Sequence, residues 1–178
     1  MIQTPRLILR PPTDADRDAL FALNADPRVG DWLGGPLSRA EADALVDRVL
    51  ERTARDGFSL WAVQRRDDAA VIGMAGLMAM GADLPPGPAI EVGWRFAPDA
   101  WGHGYATEAA RAAVAWGFAQ RPEVAEIIAI TAVGNLRSQA VMRRIGMTPQ
   151  PERDFDHPRL PPGHPLRRHV TWTIRRPA

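Results

Sequence analysis

The sequence predicts a mixed α/β fold in which helices cover a single sheet. Two observations lead to this class: a β-hairpin pattern lies in the first half of the chain, and strand–helix–strand crossovers lie in the second. A third observation is that no internal repeat and no linker divides the chain. With 178 residues, 46% of them hydrophobic, the chain can bury a substantial core, so we expect one domain over residues 1–178.

The first elements are predicted to be a strand and two helices. The strand is RLILR (6–10), and DADRDALFALN (14–24) follows as an amphipathic helix. The second helix covers residues 36–57, where Ser38 and Glu41 form a capping box at the start and a glycine ends the helix.

A β-hairpin and a further strand are predicted next. FSLWAVQRR (58–66) alternates apolar and polar residues, turns at Asp67–Asp68 and continues into VIGMAGLMAM (71–80). A loop rich in proline and glycine (81–88) separates this hairpin from the strand AIEVGWRF (89–96).

The C-terminal half is predicted to alternate helices with strands. An alanine-rich helix follows the glycines at residues 102 and 104, and EIIAITAV (126–133) forms the next strand. A short helix (136–145) ends at a glycine, a proline-rich loop covers residues 149–165, and RHVTWTIR (168–175) is the last strand.

The composition excludes several kinds of chemistry. The chain has no cysteine, so it has no disulfide, thiolate nucleophile or cysteine-bound metal. All 22 basic residues are arginine, which excludes a Schiff-base lysine and the lysine-bearing phosphate loop of nucleotide hydrolases. The histidines match no zinc spacing, so we expect no metal. An alanine-rich chain with arginine as its only strong base is typical of a GC-rich bacterium.

Charge and hydropathy indicate the compartment and the kind of ligand. The N-terminus lacks the apolar stretch of a signal peptide, and no apolar run approaches the roughly 18 residues of a membrane helix, so we expect a soluble, cytoplasmic protein with no membrane partner. The net charge of +1 is distributed as −3 over residues 1–89 and +4 over residues 90–178. A basic C-terminal half suits a small polyanionic ligand, whereas its charges are too dispersed to predict nucleic-acid binding.

The stretch WGHGYA (101–106) predicts an anion site. Gly102 and Gly104 lie where a strand turns into a helix, whose first N–H groups are unpaired. Glycines let the backbone approach a ligand closely, and Ala106 keeps the first turn open, which favours a phosphate or pyrophosphate. A plain turn is the alternative. The dinucleotide-binding fingerprint fails because Thr107 stands where its third glycine would be.

Together with NLRSQAVMRRIGM (135–147), this loop resembles the GCN5-related N-acetyltransferases (GNAT), and more narrowly their RimJ/RimL-like branch. The pyrophosphate motif of that family is Gln or Arg, two residues, Gly, any residue, then Gly or Ala; residues 101–106 fit it with Trp101 in first position. The resemblance implies a strongly twisted, mostly antiparallel sheet of six or seven strands with about four helices. It also implies a splay between the fourth and fifth strands, at 89–96 and 126–133.

The resemblance implies that acetyl-CoA is the co-substrate and lies in this splay. The strand end would offer backbone groups to the pantetheine arm, and the loop amides would hold the pyrophosphate. Asn135 and Ser138 correspond to positions near the pantetheine and thiol, although Asn135 equally suits a helix cap and Ser138 an ordinary first turn. The implied cofactor-binding residues are Trp94, Arg95, Phe96, Trp101, Gly102, His103, Gly104, Tyr105, Ala106, Thr107, Asn135 and Ser138.

The resemblance further implies N-acetyl transfer directly to a primary amine, by a sequential mechanism without an acyl-enzyme. The lack of a cysteine or lysine nucleophile agrees with this. Glu91 is the candidate general base, acting through water, and Ser138 is the candidate acid for the departing thiolate. Because side chains alternate along a strand, Glu91 and Trp94 face opposite sides unless a bulge intervenes, and a structural role for Glu91 stays open.

One departure from the family pattern keeps a second function open. Many members use a tyrosine in the helix after Asn135 as the acid, but Tyr105, the chain's single tyrosine, lies in the glycine loop. The alternative is a non-catalytic acyl-CoA-binding sensor or partner module on the same fold.

The amine acceptor is expected between the N-terminal helices and the loop before the last strand. Asp31 and Trp32 offer a charge and an aromatic wall to a cationic amine, with an exposed structural loop as the alternative; Asp156 and His157 are further candidates. A protein N-terminus and a small-molecule amine are both compatible with the sequence, and so is a homodimer.

Overall fold

One nine-stranded sheet runs through residues 1–177, the part of the chain that this computed structural model describes. Its strands are β1 (Ile2–Gln3), β2 (Leu7–Arg10), β3 (Leu60–Arg65), β4 (Val71–Met80), β5 (Ala89–Phe96), β6 (Glu126–Ala132), β7 (Thr148–Pro149), β8 (Phe155–Asp156) and β9 (Arg168–Arg175). They neighbour one another in the order β1-β2-β3-β4-β5-β6-β9-β7, and β8 also pairs with β9. Only the pair of β5 with β6 is parallel among these described strands.

The helices begin and end where local backbone chemistry requires it. The side chain of Ser38 accepts from the N–H of Glu41, whose carboxylate accepts from the N–H of Ser38 at 2.8 Å, so the predicted capping box is present. Gly57 ends the same helix with φ at +81°, a conformation that favours glycine. The helices are α1 (Arg17–Ala25), α2 (Pro27–Gly30), α3 (Arg39–Asp56), α4 (Tyr105–Gln120) and α5 (Leu136–Arg144).

The predicted mixed, mostly antiparallel fold is confirmed, and the differences concern short elements. The sheet has nine strands rather than six or seven because β1, β7 and β8, of two residues each, were not predicted. The four-residue helix α2 was also missed, and residues 14–16, predicted as α-helix, form a 3-10 turn. Elements this short contain too few residues for a hydrophobic period to be visible.

The side chains of the sheet alternate between two covered faces. On one face, α4 and α5 pack over a core that includes Leu77 of β4 and Val92 of β5. On the other face, α1 and α3 pack over a second core that includes Leu60 of β3 and Met74 of β4. The register of β4 with β5 continues without a break, so Glu91 and Arg95 lie on the same face as Met74, below α1 and α3.

The strands β5 and β6 separate from each other. They pair at a single position, Glu91 with Ile128, near the start of both strands. Beyond it they diverge toward their C-terminal ends. This is the predicted splay, and the resulting opening is called the β5–β6 gap below.

Two glycines that face each other across β4 and β5 allow a matched test of this packing. A Cβ on Gly76 would lie 2.3 Å from the backbone oxygen of Ser59, whereas a Cβ on Gly93 would meet only the flexible side-chain end of Met78 at 2.9 Å and Leu60 at 3.9 Å. We expect Gly76→Ala to lower the free energy of unfolding by about 1–3 kcal/mol, because backbone atoms of β3 would have to move. Gly93→Ala should lower it far less, and equal urea midpoints for the two variants would contradict this account.

Candidate active site

The edge of β5 presents backbone groups to the β5–β6 gap. The N–H of Ala97 donates to the carbonyl of Ile72 at 2.9 Å, which fixes which residues of β5 pair with β4. Since alternate residues of an antiparallel pair turn their N–H and C=O groups toward the partner, Trp94 and Phe96 turn theirs toward the gap. Trp94, Arg95 and Phe96 were all predicted to offer backbone groups to the gap. The backbone of Arg95 faces β4 instead.

The opposite edge of the gap is formed by β6. The N–H of Val133 donates to the carbonyl of Arg168 at 2.8 Å, and the alternation then turns the backbone of Ile130 toward the gap. At the mouth, the indole N–H of Trp101 donates to the carbonyl of Phe96 at 2.8 Å. The gap therefore has backbone donors and acceptors on both sides and an aromatic ring fixed at its end.

Residues 101–107, called the anion loop below, meet the mouth of this gap. Gly102 and Gly104 have φ of +81° and +79°, and a Cβ on Gly102 would have no atom within 4 Å. No N–H group of residues 102–107 donates to any residue within the described range 1–177, and no side chain caps α4. These free amides at a helix N-terminus fit a phosphate or pyrophosphate group.

The aromatic side chains of the anion loop pack against arginines or against one another. His103 is exposed and stacks on Tyr105, with ring centroids 5.7 Å apart. The guanidinium of Arg6 lies 4.7 Å from the Tyr105 ring, and that of Arg137 lies 4.8 Å from the Trp101 ring. Arg137 forms no ion pair within residues 1–177 and so leaves a positive charge beside the loop, while Ala106 and Thr107 are half-buried in the first turn of α4.

An ion pair fastens the N-terminal segment to this loop. The carboxylate of Glu108 accepts from the hydroxyl of Thr4 at 2.7 Å and from the side chain of Arg6 at 2.7 Å. Arg6 also donates to the carbonyl of His103 at 2.9 Å. Burial alone would raise the pKa of Glu108, but the hydrogen bonds from Thr4 and Arg6 outweigh it and lower this pKa. The position of the loop therefore depends on residues about a hundred positions earlier in the chain.

The carboxyl group of Glu91 lies on the α1/α3 face without a hydrogen-bond partner among residues 1–177. Burial raises its pKa and the positive charge of Arg52 partly opposes this, so that the pKa is about 7. No bulge interrupts β5, so Glu91 and Trp94 face opposite sides, as the alternation predicts. A carboxyl group with this pKa can accept a proton near neutral pH.

Asn135 and Ser138 lie together at the start of α5. The Asn135 side chain accepts from the N–H of Ser138 at 3.2 Å and donates to the hydroxyl of Thr131 at 3.0 Å. Asn135 is thus the N-cap of α5, and both polar groups of its buried side chain have partners. The hydroxyl of Ser138 is half-buried and, within residues 1–177, has no partner.

The four predicted acceptor residues fall into two groups. Trp32 lies over the turn between β6 and α5, since a Cβ on Gly134 would be 3.5 Å from its ring, and exposed Asp31 precedes it. Asp156 pairs instead with Arg167 at 3.2 Å, a pairing that neutralises its charge.

His157 forms an aromatic cluster with β9. Its ring lies 5.0 Å from that of His169 and 6.3 Å from that of Phe155. Burial lowers the pKa of His157, and the charge of His169 lowers it further. Through these contacts His157 packs within the C-terminal loop.

Within residues 1–177, no group of three or more histidine or acidic side chains is placed to hold a metal ion, and no helix has the length and hydrophobicity of a membrane span.

Comparison with known proteins identifies the family. A family model described as "Acetyltransferase (GNAT) domain" matches residues 6–148. The chain belongs to the GNAT acetyltransferases. It is accordingly an N-acetyltransferase that uses acetyl-CoA as its acyl donor.

The alignments with curated relatives and solved structures cover most of this GNAT chain. The chain is 31% identical over 145 residues to Uncharacterized protein YkkB of Bacillus subtilis (strain 168), and the alignment covers 81% of this chain and 83% of that one. Uncharacterized N-acetyltransferase YoaA of the same organism is 26% identical, with 82% and 81% covered. A GNAT-family acetyltransferase from Bacillus anthracis superimposes with a TM-score of 0.79 at 23% identity, covering 98% and 97%.

Two similar structures contain coenzyme A. Aminoglycoside acetyltransferase AAC(6')-Ib has a TM-score of 0.75 at 19% identity, with 96% and 95% of the two chains covered. RimL, a ribosomal L7/L12 alpha-N-protein acetyltransferase, has a TM-score of 0.75 at 18% identity, with 97% and 95% covered. At these identities the likeness concerns the fold alone.

Several polar groups near Glu91 were not predicted from the sequence of this GNAT protein. Arg48 and Arg52 lie one turn apart on α3, and both lie close to β5, where they affect the pKa values of Arg95 and Glu91. Their four-residue spacing in "DRVLER" was a signal that one helix face holds both. The spacing does not show whether that face is turned toward the sheet. This depends on how α3 packs on the sheet, and the local sequence does not determine the packing.

A charge at Gly104 tests the anion loop. We expect Gly104→Glu to weaken acetyl-CoA binding at least about 30-fold. The free amides attract an anion by up to ~2 kcal/mol, and the introduced carboxylate would repel it instead. Calorimetric titration with acetyl-CoA measures this.

Gly57→Glu is the matched control, because Gly57 has nearly the same φ of +81° but ends α3, away from the loop. It should lose stability without losing affinity. Normal binding by Gly104→Glu would show that the loop does not hold the phosphates.

Proposed function

We propose that this GNAT acetyltransferase moves the acetyl group of acetyl-CoA directly to a primary amine held on the α1/α3 face of the sheet. The observation that supports it most is the single pairing of β5 with β6, which opens the gap between the anion loop and Glu91. Acetyl-CoA, when bound, supplies a thioester carbonyl. The residues around the gap would then position it, receive the proton of the amine and supply a proton to the thiolate.

Each part of the donor would have a set of partners in this proposal. The free amides of residues 102–107 would hold the pyrophosphate, with Arg137 adding positive charge. Backbone groups of Trp94 and Phe96 would pair with the pantetheine amides as a neighbouring strand would. Asn135 would act through the cap that positions Ser138, because its own side-chain groups already have partners.

Glu91 is proposed as the general base, acting through water. A lysine-type amine with a pKa near 10.4 costs about 4.6 kcal/mol to deprotonate at pH 7, and an α-amine near 7.8 costs about 1.1 kcal/mol. A carboxylate whose pKa is raised to about 7 by burial is a better proton acceptor than one near 4.5. Ser138, with its free hydroxyl, is proposed as the donor to the thiolate, in place of the tyrosine that this helix lacks.

The acceptor is proposed to be either a small-molecule amine or a protein N-terminal α-amine. The aminoglycoside and ribosomal-protein acetyltransferases described above represent these two classes on the same fold. We also propose that residues 1–178 form one domain and that the chain belongs to the RimJ/RimL-like branch, for which the supporting features are Trp101 in the first position of the loop motif and the likeness to RimL. Thiol release from acetyl-CoA across a panel of amines and peptides, with mass spectrometry of the products, tests the proposal.

Glu91→Gln should lower kcat by about 10²–10⁴-fold while leaving the Kd for acetyl-CoA unchanged, because only proton transfer is lost. In the unmodified protein, kcat should fall below pH 7, since the base must be ionised and its pKa is about 7. This acid limb should be absent in Glu91→Gln. Arg52→Gln should move the limb to higher pH, because the charge of Arg52 lowers the pKa of Glu91. A purely structural Glu91 would leave both profiles unaltered.

Ser138→Ala should lower kcat with little change in the Kd for acetyl-CoA, because it removes a hydroxyl and keeps the N–H that Asn135 caps. Ser138→Thr keeps the hydroxyl and serves as the control. Equal kcat in the alanine variant and the unmodified protein would remove Ser138 from the mechanism.

A further inference from the structure

A cavity on the α1/α3 face lies beside the proposed amine site. Its volume is about 200 Å³, and it opens between α1, the segment after α2, α3 and β5. Most of its wall is apolar, formed by residues such as Val29, Leu37 and Leu45. The polar part of the wall consists of Asn24, Arg48 and Arg95. Among residues 1–177, no acidic side chain lines it.

Arg95 lies in this wall without a carboxylate partner. One of its guanidinium nitrogens donates to the side-chain oxygen of Asn24 at 2.6 Å, and it forms no ion pair with any residue of the described range 1–177. Asn24 is itself fixed, since its side-chain amide donates to the backbone carbonyl of Leu20 at 2.7 Å and its backbone carbonyl accepts from the N–H of Leu37. Asn24 therefore orients a positive charge whose remaining donors are free.

Arg48 adds a second positive charge to the same wall. It lies on α3, and its side chain makes no hydrogen bond or ion pair within residues 1–177. Burial and, to a smaller extent, the charge of Arg48 together lower the pKa of Arg95 to about 10. Of the acids nearest to Arg48 on α3, Asp43 and Asp47 pair with other arginines, and Glu51 forms no ion pair within residues 1–177. Two guanidiniums that repel each other in a partly buried wall are stabilised by an anion between them.

The arrangement along β5 relates this charge to the reacting amine. Glu91 and Arg95 are four residues apart on one face, about 13 Å along the strand, and the flexible side-chain end of Met78 lies over Gly93 between them. Arg52 lies above Glu91, and Arg48, one turn earlier on α3, lies near Arg95. This face of β5 therefore has a proton acceptor near one end and, where the cavity opens, two positive charges at the other.

We propose that the acceptor is a small primary amine that also carries an anionic group, a carboxylate or phosphate, bound between Arg95 and Arg48 while its amine lies toward Glu91. This inference rests on the proposed function and names its substrate class. It differs from the expectation that Asp31 and Trp32 select a cationic amine. The anion loop does not compete for this role, because α4 packs on the opposite face of the sheet.

Matched acceptor pairs test the proposal. Thiol release at saturating acetyl-CoA is measured with β-alanine, γ-aminobutyrate and 6-aminohexanoate, each against its uncharged amide, and with phosphoethanolamine against ethanolamine. Charge-assisted hydrogen bonds predict a kcat/KM about 10- to 100-fold higher for the anionic member of the best pair. The first three pairs measure the preferred separation, and the last distinguishes phosphate from carboxylate.

Arginine variants locate the preference. Arg95→Gln and Arg48→Gln should each raise KM for the anionic acceptor about tenfold or more and abolish the preference over the uncharged partner, without changing the Kd for acetyl-CoA. Arg48→Gln guards against a folding defect, because Arg48 holds no other residue in place. Arg175→Gln is the control, because Arg175 is 85% exposed at the end of β9. This variant should keep the preference for the anionic acceptor.

The outcomes separate the two proposals. Acetylation of uncharged or cationic amines at rates equal to or above those of the anionic ones would overturn the inference and leave the proposed function intact. Acetylation of acidic peptides alone would also overturn it, because the small acceptor would be wrong. A lower affinity for acetyl-CoA in Arg95→Gln and Arg48→Gln would reassign the arginines to the donor. Thiol release with no amine at all would overturn the proposed function and this inference with it.

Discussion

Because β5 and β6 run parallel and pair only at Glu91 and Ile128, the backbone groups beyond this point have no strand opposite them. Unpaired backbone groups are costly when buried, so such an opening persists only where water or a ligand satisfies them. Most of the site's geometry follows from this single interruption. The divergence places the edges of Trp94 and Ile130 along a slot and brings the N-terminus of α4 to its mouth. The rest of the sheet, which pairs antiparallel from β1 to β5 with one register shift at Val63 and Gln64 of β3, provides the rigid support.

The two faces of the sheet have different chemistry. On the face covered by α4 and α5, the polar groups near the gap are mainly backbone amides, with arginines over aromatic rings. On the face covered by α1 and α3, they are ionisable side chains with few partners, namely Glu91, Arg95, Arg48 and Arg52. Side-chain alternation along one strand produces this division, since Trp94 and Phe96 belong to one face and Glu91 and Arg95 to the other. A donor and an acceptor approaching from opposite faces would meet without a covalent enzyme intermediate.

The features that the sequence predicted well are those that depend on neighbouring residues. The capping box at Ser38 and Glu41, the glycine turn before α4 and the hairpin of β3 with β4 each need only a few adjacent side chains. Asn135 was equally compatible with a cap and a ligand, and its hydrogen bonds to Ser138 and Thr131 show the cap. The partners of Arg95 could not be predicted, because they come from α1 and α3, tens of residues away, and depend on how those helices cross the sheet.

The fastening of Arg6 to Glu108 and to the carbonyl of His103 makes a segment far earlier in the sequence part of the support of the anion loop. The hydrogen bond from Arg6 to His103 spans 97 positions, so the anion loop is completed only when the connection between β1 and β2 is in place. A purification tag or a fusion partner that displaces Arg6 would therefore act as an unintended mutation of the anion loop. Assays on such forms would report the loosened loop rather than the native enzyme.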